Sequence, residues 1–374
     1  MEMREIIVVG AGPAGCAAAY DLAAAGRNVL LLDKAEFPRM KPCAGALTTK
    51  TIDALPFDVT PVVRRMCSEM RLSLGALSRT LGNTLPIAAM TVRAEFDRLF
   101  LQQCIGWGAE FKSNHRLIGL GRDADGWIVT THRGTFRSRF LIGADGANSQ
   151  VRKLLMPGHP LAMGLALETC ISNHDWPDTA MEFDFGAVNR GYGWIFPKDD
   201  HFNVGLYSLN PTIPHAGPKL AEFVKSKTGR EISGQIHGHK IPHNGRRMHQ
   251  PWKDACLIGD AAGMIDPFLG EGIYHAIRSG QLAARAILDA GSRREVDFAA
   301  AMKEITLDLA SYDSETRRFY SDIRRGYRRV AKTPLGGLLV KGFTMGWTVR
   351  QIKRKIFVLP LLQSQRKKER CSSA

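Results

Sequence analysis

The sequence predicts an α/β fold in which a nucleotide-binding domain of the Rossmann type is interleaved along the chain with a mixed β-sheet domain. Three observations predict it. Residues 5–9 form a buried, non-alternating strand that runs into a glycine turn and a helix. The same strand–turn–helix pattern returns at residues 140–152 and again at 255–290. Between these returns, residues 69–91 and 161–209 contain several strand-like runs. The 374-residue chain is long enough for two or three domains.

The first strand, turn and helix have the features of a dinucleotide site. The turn has the spacing Gly10-x-Gly12-x-x-Gly15, and Asp33 ends the next strand. The glycines allow a tight turn, close approach of a pyrophosphate and tight helix–strand packing. The helix N-terminus offers free N–H groups to phosphates, and Asp33 can accept a hydrogen bond from a ribose hydroxyl. The predicted site includes the neighbouring Ala14 and Lys34.

The remaining elements are predicted from the spacing of apolar residues. Residues 37–45 form a loop rich in Gly, Pro and Lys. The other predicted elements are strands within 69–91, a helix at 93–107, strands near 109–112, 116–120 and 127–131, a strand at 140–145, strands within 161–209 that include 192–197 and 201–207, a helix near 218–228, a strand at 236–242, a strand at 255–259 and a helix at 272–290. The last part of the chain is predicted to be a helical basic C-terminal region, broken at Pro334, Gly336-Gly337 and Pro360.

Two further aspartates follow apolar strands and extend the predicted dinucleotide site. Asp260 follows Gly259 after the late strand, where its carboxylate can bind a polyol hydroxyl. Asp145 lies in the middle glycine turn. Either aspartate alone can simply cap a helix. A chain that returns to its first nucleotide-binding segment with a second Gly-Asp turn is typical of FAD enzymes rather than of simple dehydrogenases, so the sequence predicts FAD.

Several segments carry a resemblance to a known family. The three glycine turns, in this order, resemble the flavoprotein hydroxylase superfamily with the para-hydroxybenzoate hydroxylase fold. Lys41-Pro42-Cys43-Ala44-Gly45 resembles the KPCGG element of geranylgeranyl reductases. Residues 192–198, followed by residues 203–205, resemble their YxWxFPK substrate strand. Residues 92–99, 238–242 and 259–273 also fit this family, and residues 143–152 are especially similar to its CbrA branch. Two departures are Ala44 in place of glycine and the shortened glycine-rich end at Val204-Gly205.

The resemblance covers about residues 1–290 and implies an FAD-dependent oxidoreductase. Reduced FAD would deliver a hydride to an isolated C=C bond of an isoprenoid or other polyprenyl lipid, and a proton would complete the saturation. Such an alkene has no polar handle, so the protein must supply an apolar channel and a nearby proton source.

The resemblance and the motifs together define the predicted site. Cys43, in a Gly/Pro loop rather than on a core face, is the catalytic candidate, with a small residue chosen for fit as the alternative. The cofactor-binding set is Gly10, Gly12, Ala14, Gly15, Asp33, Lys34, Lys41, Pro42, Ala44, Gly45, Arg93, Asp145, Gly259, Asp260, Gly270, Gly272 and Ile273, and the substrate-binding set is Tyr192, Trp194, Phe196 and Pro197. The expected FAD-binding segments are 1–66, 92–158 and 250–312, the substrate segments are 67–91 and 159–249, and the C-terminal region is 313–374.

Two other functions stay open from the sequence. One is a flavin monooxygenase or halogenase, because residues 191–197 match the spacing of the halogenase GWxWxIP element, with Tyr for the first Trp and Phe for Ile. The other is a non-catalytic, flavin-bearing lipid-binding or resistance protein that acts through its basic tail. The electron donor is open as well: the sequence contains no second Rossmann fingerprint, which leaves NAD(P)H, a ferredoxin or a quinol.

The positive charge is concentrated at the C-terminus. The whole chain has a net charge of +15, and residues 317–374 contain sixteen Lys and Arg against Asp322 and Glu369. Short apolar segments flanked by basic clusters favour an anchor on an anionic membrane surface, although the same charges can hold a diphosphate headgroup or be solvated helix faces. The rest of the chain lacks a basic stripe with stacking aromatics, which argues against nucleic acid as a partner.

The cysteines and histidines indicate the compartment and argue against a metal. Seven scattered Cys without a CxxC pair, and a strand that begins near residue 4, predict reduced thiols, no secretory signal and a cytoplasmic protein, peripheral on the inner face of the membrane. No apolar run approaches the roughly 18 residues of a spanning helix. The spacing of His237, His239, His243 and His249 does not define one ligand face, so no metal site is predicted.

Overall fold

The computed structural model describes residues 2–74, 77–82, 84–174, 180–243, 250, 252–293, 295–307, 309–310 and 316. The predicted helical basic C-terminal region, residues 313–374, lies outside the described residues apart from Thr316. No helix in the described part of the chain is long and apolar enough to cross a bilayer.

The described residues form strands and α-helices, with the helices separating groups of one to four strands. In chain order the strands are β1 (Met3–Val9), β2 (Val29–Leu32), β3 (Ala46–Thr48), β4 (Val63–Cys67), β5 (Glu69–Leu74), β6 (Leu77–Gly82), β7 (Ala88–Thr91), β8 (Glu110–Lys112), β9 (Leu117–Arg122), β10 (Trp127–Thr131), β11 (Gly134–Gly143), β12 (Ala162–Ser172), β13 (Met181–Asp184), β14 (Gly191–Pro197), β15 (His201–Ser208), β16 (His237–His243) and β17 (Ala255–Leu257). The helices are α1 (Pro13–Ala24), α2 (Thr49–Asp53), α3 (Arg93–Gly106), α4 (Gln150–Leu155), α5 (Ala216–Thr228), α6 (Ile273–Ala290) and α7 (Phe298–Ala301).

The first sheet collects strands from three distant parts of the chain. Its order is β8-β2-β1-β11-β10-β9, with β17 paired to β11. The pairs β1–β2, β1–β11, β2–β8 and β11–β17 are parallel, whereas β10 is antiparallel to both of its neighbours. Residues 6–9 of β1 and all of β2 are apolar and buried, as expected for strands covered on both faces. The carboxyl ends of these parallel strands therefore meet at one edge.

The second sheet is built from the middle of the chain. Its order is β16-β12-β15-β14-β13-β5-β6, antiparallel except for the β5–β13 pair. One face packs on α5 through a separate hydrophobic cluster that includes Ile195, Val204 and Leu206. The other face carries aromatic side chains that belong to the main core. A small third sheet has the order β3-β7-β4, and its strands come from residues 46–91.

Most of the elements predicted from the sequence are present. The α/β fold class, with parallel and antiparallel sheets whose strands interleave along the chain, is confirmed. Residues 46–67 had no predicted elements but contain β3, α2 and β4. These elements are too short to show a clear hydrophobic period, which explains why sequence patterns did not reveal them. The exact domain boundaries stay a prediction.

Candidate active site

A cavity of about 930 Å³ lies between the carboxyl ends of the first sheet and the aromatic face of the second. Residues that follow β1, β2, β11 and β17 line one side, and residues from β12 to β16 line the other. Ligands of open α/β sheets bind at this edge, because the helix N-termini and the ends of the loops face it. The three glycine turns predicted to act together therefore converge on one space.

Most of the predicted site residues line this cavity. They are Gly10, Gly12, Ala14, Asp33, Lys34, Lys41, Pro42, Cys43, Ala44, Gly45, Arg93, Asp145, Asp260, Gly270, Gly272, Ile273, Tyr192, Trp194 and Phe196. Gly15, Gly259 and Pro197 do not line it. A Cβ on Gly15 would lie 1.8 Å from the Gly10 carbonyl oxygen, and one on Gly259 would lie 2.8 Å from the Ala14 Cβ. These two glycines allow close backbone packing behind the cavity, and Pro197 ends β14.

The turn before α1 has the form expected of a phosphate site. Gly12 is the N-cap of α1, has no side-chain cap and is followed by Pro13 at the first helical position. The free N–H groups of the first turn therefore remain available to an anion. A Cβ on Gly10, which has φ +107°, would lie 2.3 Å from the Ala144 carbonyl oxygen, so only glycine fits there.

Asp33 is held in place by backbone groups on both sides of the turn. Its Oδ2 accepts from the Ala11 N–H at 2.7 Å and its Oδ1 from the Ala35 N–H at 2.8 Å. A carboxylate has about four acceptor positions, so two remain for hydroxyl groups. This arrangement fits the predicted contact with a ribose.

Asp145 and Asp260 differ in what they do. Asp145 accepts from the backbone N–H groups of Gln150 (2.5 Å) and Val151 (3.1 Å), and so caps α4 while it lines the cavity. Burial raises its pKa. Asp260 lines the cavity after β17. Its negative charge raises the pKa of Lys41, which partly offsets the lowering by burial. Asp145 therefore acts as a helix cap, and its predicted contact with the cofactor stays a prediction.

Cys43 lies among charged groups at the junction of the two sheets. Its backbone N–H donates to Glu168 Oε1 at 2.8 Å, and its side chain contacts Arg93. The ammonium of Lys198, which ends the YxWxFPK match, donates to the Ala44 carbonyl at 2.8 Å, and burial lowers the pKa of Lys198. The loop that carries Cys43 is thus fixed by side chains from the second sheet.

A buried aspartate orients two arginines at the cavity wall. Arg93 donates twice to Asp97, from Nε and from NH2, each at 2.8 Å, and Arg39 NH2 lies 3.1 Å from the same carboxylate. Asp97 is fully buried. Burial alone would lower the pKa of Arg93, but Asp97 and Cys43 outweigh it and raise that pKa above its ordinary value. Arg93 therefore stays positively charged beside the cavity.

Lys41 meets a histidine from the far edge of the second sheet. Lys41 Nζ lies 2.6 Å from His239 Nε2. Burial, reinforced by the charge of Lys41, lowers the pKa of His239 to about 4, so the imidazole is neutral and accepts from the ammonium. Burial also lowers the pKa of Lys41. This contact ties β16 to the loop that contains Cys43.

The opposite wall is aromatic. Tyr192, Trp194 and Phe196 alternate along β14 and all line the cavity, together with Phe183 and Tyr207. The ring centroid of Phe183 lies 5.2 Å from that of Tyr192 and 5.2 Å from that of Phe196. Such edge-to-face contacts favour a rigid apolar surface. The wall suits an apolar substrate.

The loop between β17 and α6 closes this wall. The hydroxyl of Tyr207 donates to the Pro267 carbonyl at 2.9 Å, and that of Tyr192 donates to the Leu269 carbonyl. Burial raises the pKa of both tyrosines. Glu271 accepts from Thr48 at 2.7 Å and pairs with Lys50 at 2.6 Å. The pairing with Lys50 outweighs burial and lowers the pKa of Glu271.

Several residues of the cavity were not predicted from the sequence. These are Arg39, Met40, Thr48, His115, Arg116, Glu168, Met181, Phe183, Tyr207, His237, His239 and Glu271. One available signal was a charged residue within an otherwise uncharged strand, as at Glu168 in β12. No cluster of three or more metal-ligating side chains is found in the described ranges.

Comparisons with known proteins define the class. Residues 3–181 match the model of the FAD binding domain family. The fold is shared with a geranylgeranyl bacteriochlorophyll reductase-like protein of Thermoplasma acidophilum (TM-score 0.76, 21% identity, 95% of this chain and 96% of that one). It is also shared with the halogenase PltM (TM-score 0.69, 19% identity, 85% and 76%), which has been solved with FAD bound. The protein is therefore an FAD-dependent oxidoreductase of the para-hydroxybenzoate hydroxylase-like fold.

Relatives by sequence narrow the class to a family. An uncharacterized protein of Methanosarcina barkeri is 31% identical over 96% of this chain and 94% of its own. The geranylgeranyl diphosphate reductase of Rhodobacter capsulatus is 30% identical over 86% of each chain. The menaquinone reductase of Mycobacterium tuberculosis is 31% identical over 76% of this chain and 77% of its own. The chain belongs to the geranylgeranyl reductase family.

Proposed function

We propose that this protein saturates C=C bonds in the isoprenoid chain of a lipid. The observation that supports the proposal is one cavity with two different sides. One side is the nucleotide cradle, formed by Gly10, Gly12, Asp33 and Asp260, and the other is the aromatic wall of β14. An isoprenoid chain is apolar and has no charged group near its double bonds, so it requires such a wall to hold it. The names of two relatives, geranylgeranyl diphosphate reductase and menaquinone reductase, support a reductase.

The cofactor-binding residues have distinct roles in this proposal. The first turn of α1 would hold the pyrophosphate of FAD, and Asp33 would accept from a ribose hydroxyl. Asp260 and the N-terminus of α6, with Gly272 and Ile273, would hold the remaining polar part of FAD. FAD, once reduced, supplies the hydride.

The remaining cavity residues hold the lipid and the reacting centre. Tyr192, Trp194 and Phe196 exclude water and position the chain, and Cys43 lies where the cradle and the wall meet. Arg93 is held by Asp97 with its positive charge beside Cys43. A double bond that reaches Cys43 therefore lies next to fixed charges and is held in position by the aromatic wall, which favours transfer.

Anaerobic reoxidation tests this function. The FAD-loaded protein is reduced with dithionite and mixed with geranylgeranyl diphosphate, and the return of oxidised flavin absorbance is followed. We expect reoxidation, together with a product that is heavier by two hydrogens per saturated bond in mass spectrometry. Reduced protein that stays bleached with prenyl lipids, but consumes oxygen and adds an oxygen or halogen atom to an aromatic substrate, would support a monooxygenase or halogenase instead.

A further inference from the structure

The reaction proposed above needs a proton as well as a hydride, and one side chain of the second sheet is placed to provide it. Glu168 lies on β12, where Ala166 and Glu168 line the cavity while Leu167 packs on the opposite face. In the described residues, Glu168 is the one carboxyl group that strands β12 to β16 contribute to the cavity. It is half-buried and adjoins Cys43.

We propose that Glu168 is the proton donor for saturation of the double bond, an inference that rests on the proposed function. In one turnover the alkene receives a hydride from the reduced cofactor on one carbon and the Glu168 proton on the other. The π bond breaks, two C–H bonds form, the cofactor becomes oxidised, and Glu168 is left as a carboxylate. Water that enters when the product leaves returns the proton.

The polar groups around Glu168 suit the carboxylate that is left after proton transfer. The Cys43 N–H donates to Oε1 at 2.8 Å and stabilises the carboxylate formed after transfer. Asn203 also lowers the pKa of Glu168, and its Oδ1 is fixed by the Trp194 indole N–H at 2.7 Å. This chain links the acid to the aromatic wall, so the side chain that positions the lipid also positions the proton.

Every element around Glu168 influences its charge. Burial raises its pKa, whereas the Cys43 N–H, Asn203, Lys198 and His237 lower it, and burial prevails. Cys170, on the same strand, is the further ionisable neighbour. The carboxyl therefore keeps its proton to a higher pH than an exposed glutamate does.

The other acidic groups that line the cavity lie outside the second sheet. Asp33 follows β2 and Asp145 follows β11 of the first sheet, and Glu271, in the loop before α6, is paired with Lys50. The hydroxyls of Tyr192 and Tyr207 donate to backbone carbonyls. Asp260 lies after β17, in the nucleotide cradle. Glu168 is left as the acid on the wall where the lipid lies.

The test compares Glu168→Gln with wild type in the anaerobic reoxidation assay. Glutamine keeps the shape and the acceptor for the Cys43 N–H but has no acidic proton. We expect unchanged FAD content, a reoxidation rate that is lower by about 100-fold, and loss of the fall in wild-type rate as the pH rises through the pKa of Glu168. Glu168→Asp should retain that fall at an intermediate rate. Cys170→Ser, two residues along the same strand, should behave as wild type.

The outcomes separate this inference from the proposed function. If wild type is not reoxidised by geranylgeranyl diphosphate, the proposed function fails. If wild type is reoxidised and Glu168→Gln keeps its rate or its pH profile, Glu168 is not the donor. If Glu168→Gln cannot hold FAD, Glu168→Asp decides: a reoxidation rate equal to that of wild type in a variant with a displaced carboxyl overturns the proposal.

Discussion

Gly205 lies directly under the indole ring of Trp194. A Cβ at this position would lie 2.1 Å from a ring carbon of Trp194 and 2.4 Å from the Leu167 carbonyl oxygen. Trp194 pairs with Gly205 across β14 and β15, and its indole N–H is held by Asn203. The glycine therefore determines where the largest ring of the aromatic wall lies, which gives a physical reason for glycine in the shortened Val204-Gly205 end of the motif.

Gly205→Ala should displace Trp194. We expect a loss of about 1–3 kcal/mol in the free energy of unfolding, because both neighbours would have to move. The variant should keep its FAD but be reoxidised more slowly by a prenyl substrate. Gly238→Ala on β16 is the matched control, since a Cβ there meets nothing within 4 Å. Thermal unfolding and the reoxidation assay measure both effects. Equal behaviour of the two variants would show that Trp194 has room to adjust.

Asp266 is a fully buried carboxyl in the loop that closes the aromatic wall. Its Oδ1 accepts from the Phe268 N–H at 2.7 Å, and burial raises its pKa from 3.8 to about 7. The folded protein thus binds this proton more tightly than the unfolded chain does. The stabilisation is fully present below the unfolded pKa of 3.8 and is lost as the pH rises to about 7.

Asp266→Asn should remove this pH dependence, because asparagine keeps the acceptor for Phe268 and has no proton to lose. Relative to wild type, the variant should gain stability as the pH rises from 3.8 toward 7, by at most about 4 kcal/mol. Melting temperatures measured across this range check it, with the exposed Asp125→Asn as control. A variant that parallels wild type at every pH would contradict the raised pKa.

At the scale of elements, α1 and α6 pack closely across the nucleotide cradle. A Cβ on Gly280 of α6 would lie 2.3 Å from the Ala14 carbonyl oxygen and 2.9 Å from the Ala17 Cβ. Gly259, before α6, packs on Ala14 as well. The helices that follow β1 and β17 are therefore fixed against each other at the end of α1 that faces the cavity.

Gly280→Ala should separate these helices and disturb the cradle. We expect the free energy of unfolding to fall by about 1–3 kcal/mol. FAD should also bind more weakly, which is measured through the quenching of flavin fluorescence on binding. Gly106→Ala, at the end of α3 where a Cβ meets nothing within 4 Å, should have neither effect. Loss of stability without loss of FAD affinity would show that the packing does not position the cradle.

At the scale of the whole molecule, most of the net positive charge lies outside the part of the chain that forms the cavity. The cavity lies in a part of the chain that is nearly neutral overall, while residues 317–374 carry sixteen Lys and Arg. That tail lies outside the described residues. We propose from its sequence that it attaches the protein to anionic lipid, where each basic residue near the surface contributes roughly 1 kcal/mol.

A chain that lacks residues 334–374 tests the tail. It should keep FAD and reduce a short, soluble prenyl compound at the wild-type rate, but should sediment less with vesicles that contain phosphatidylglycerol, because nine of the sixteen basic residues are removed. Vesicles of phosphatidylcholine alone are the control and should bind neither protein. A truncated chain that loses catalysis on the soluble compound would indicate that the tail contributes to the site, for example by holding a diphosphate headgroup.

The sequence was most informative where the signal was local. A strand, a glycine turn and a helix occupy contiguous residues, so their hydrophobic period and spacing predicted β1, α1 and the cradle around Gly12. The alternation along β14 likewise placed Tyr192, Trp194 and Phe196 on one face. Local patterns also separated the near-neutral body from the basic tail.

Only the tertiary structure decided which faces meet. The period of a strand shows that Ala166 and Glu168 share a face, but not that this face looks into the cavity toward Cys43. His239 reaches Lys41, and Glu271 reaches Lys50, across long stretches of chain that no local pattern connects. Tertiary packing fixes such contacts, because the loop with Lys41 and helix α2 meet β16 and the loop before α6 only after the chain has folded. The cofactor cradle was therefore determined by the sequence itself, and the acid–base environment around Cys43 by the fold.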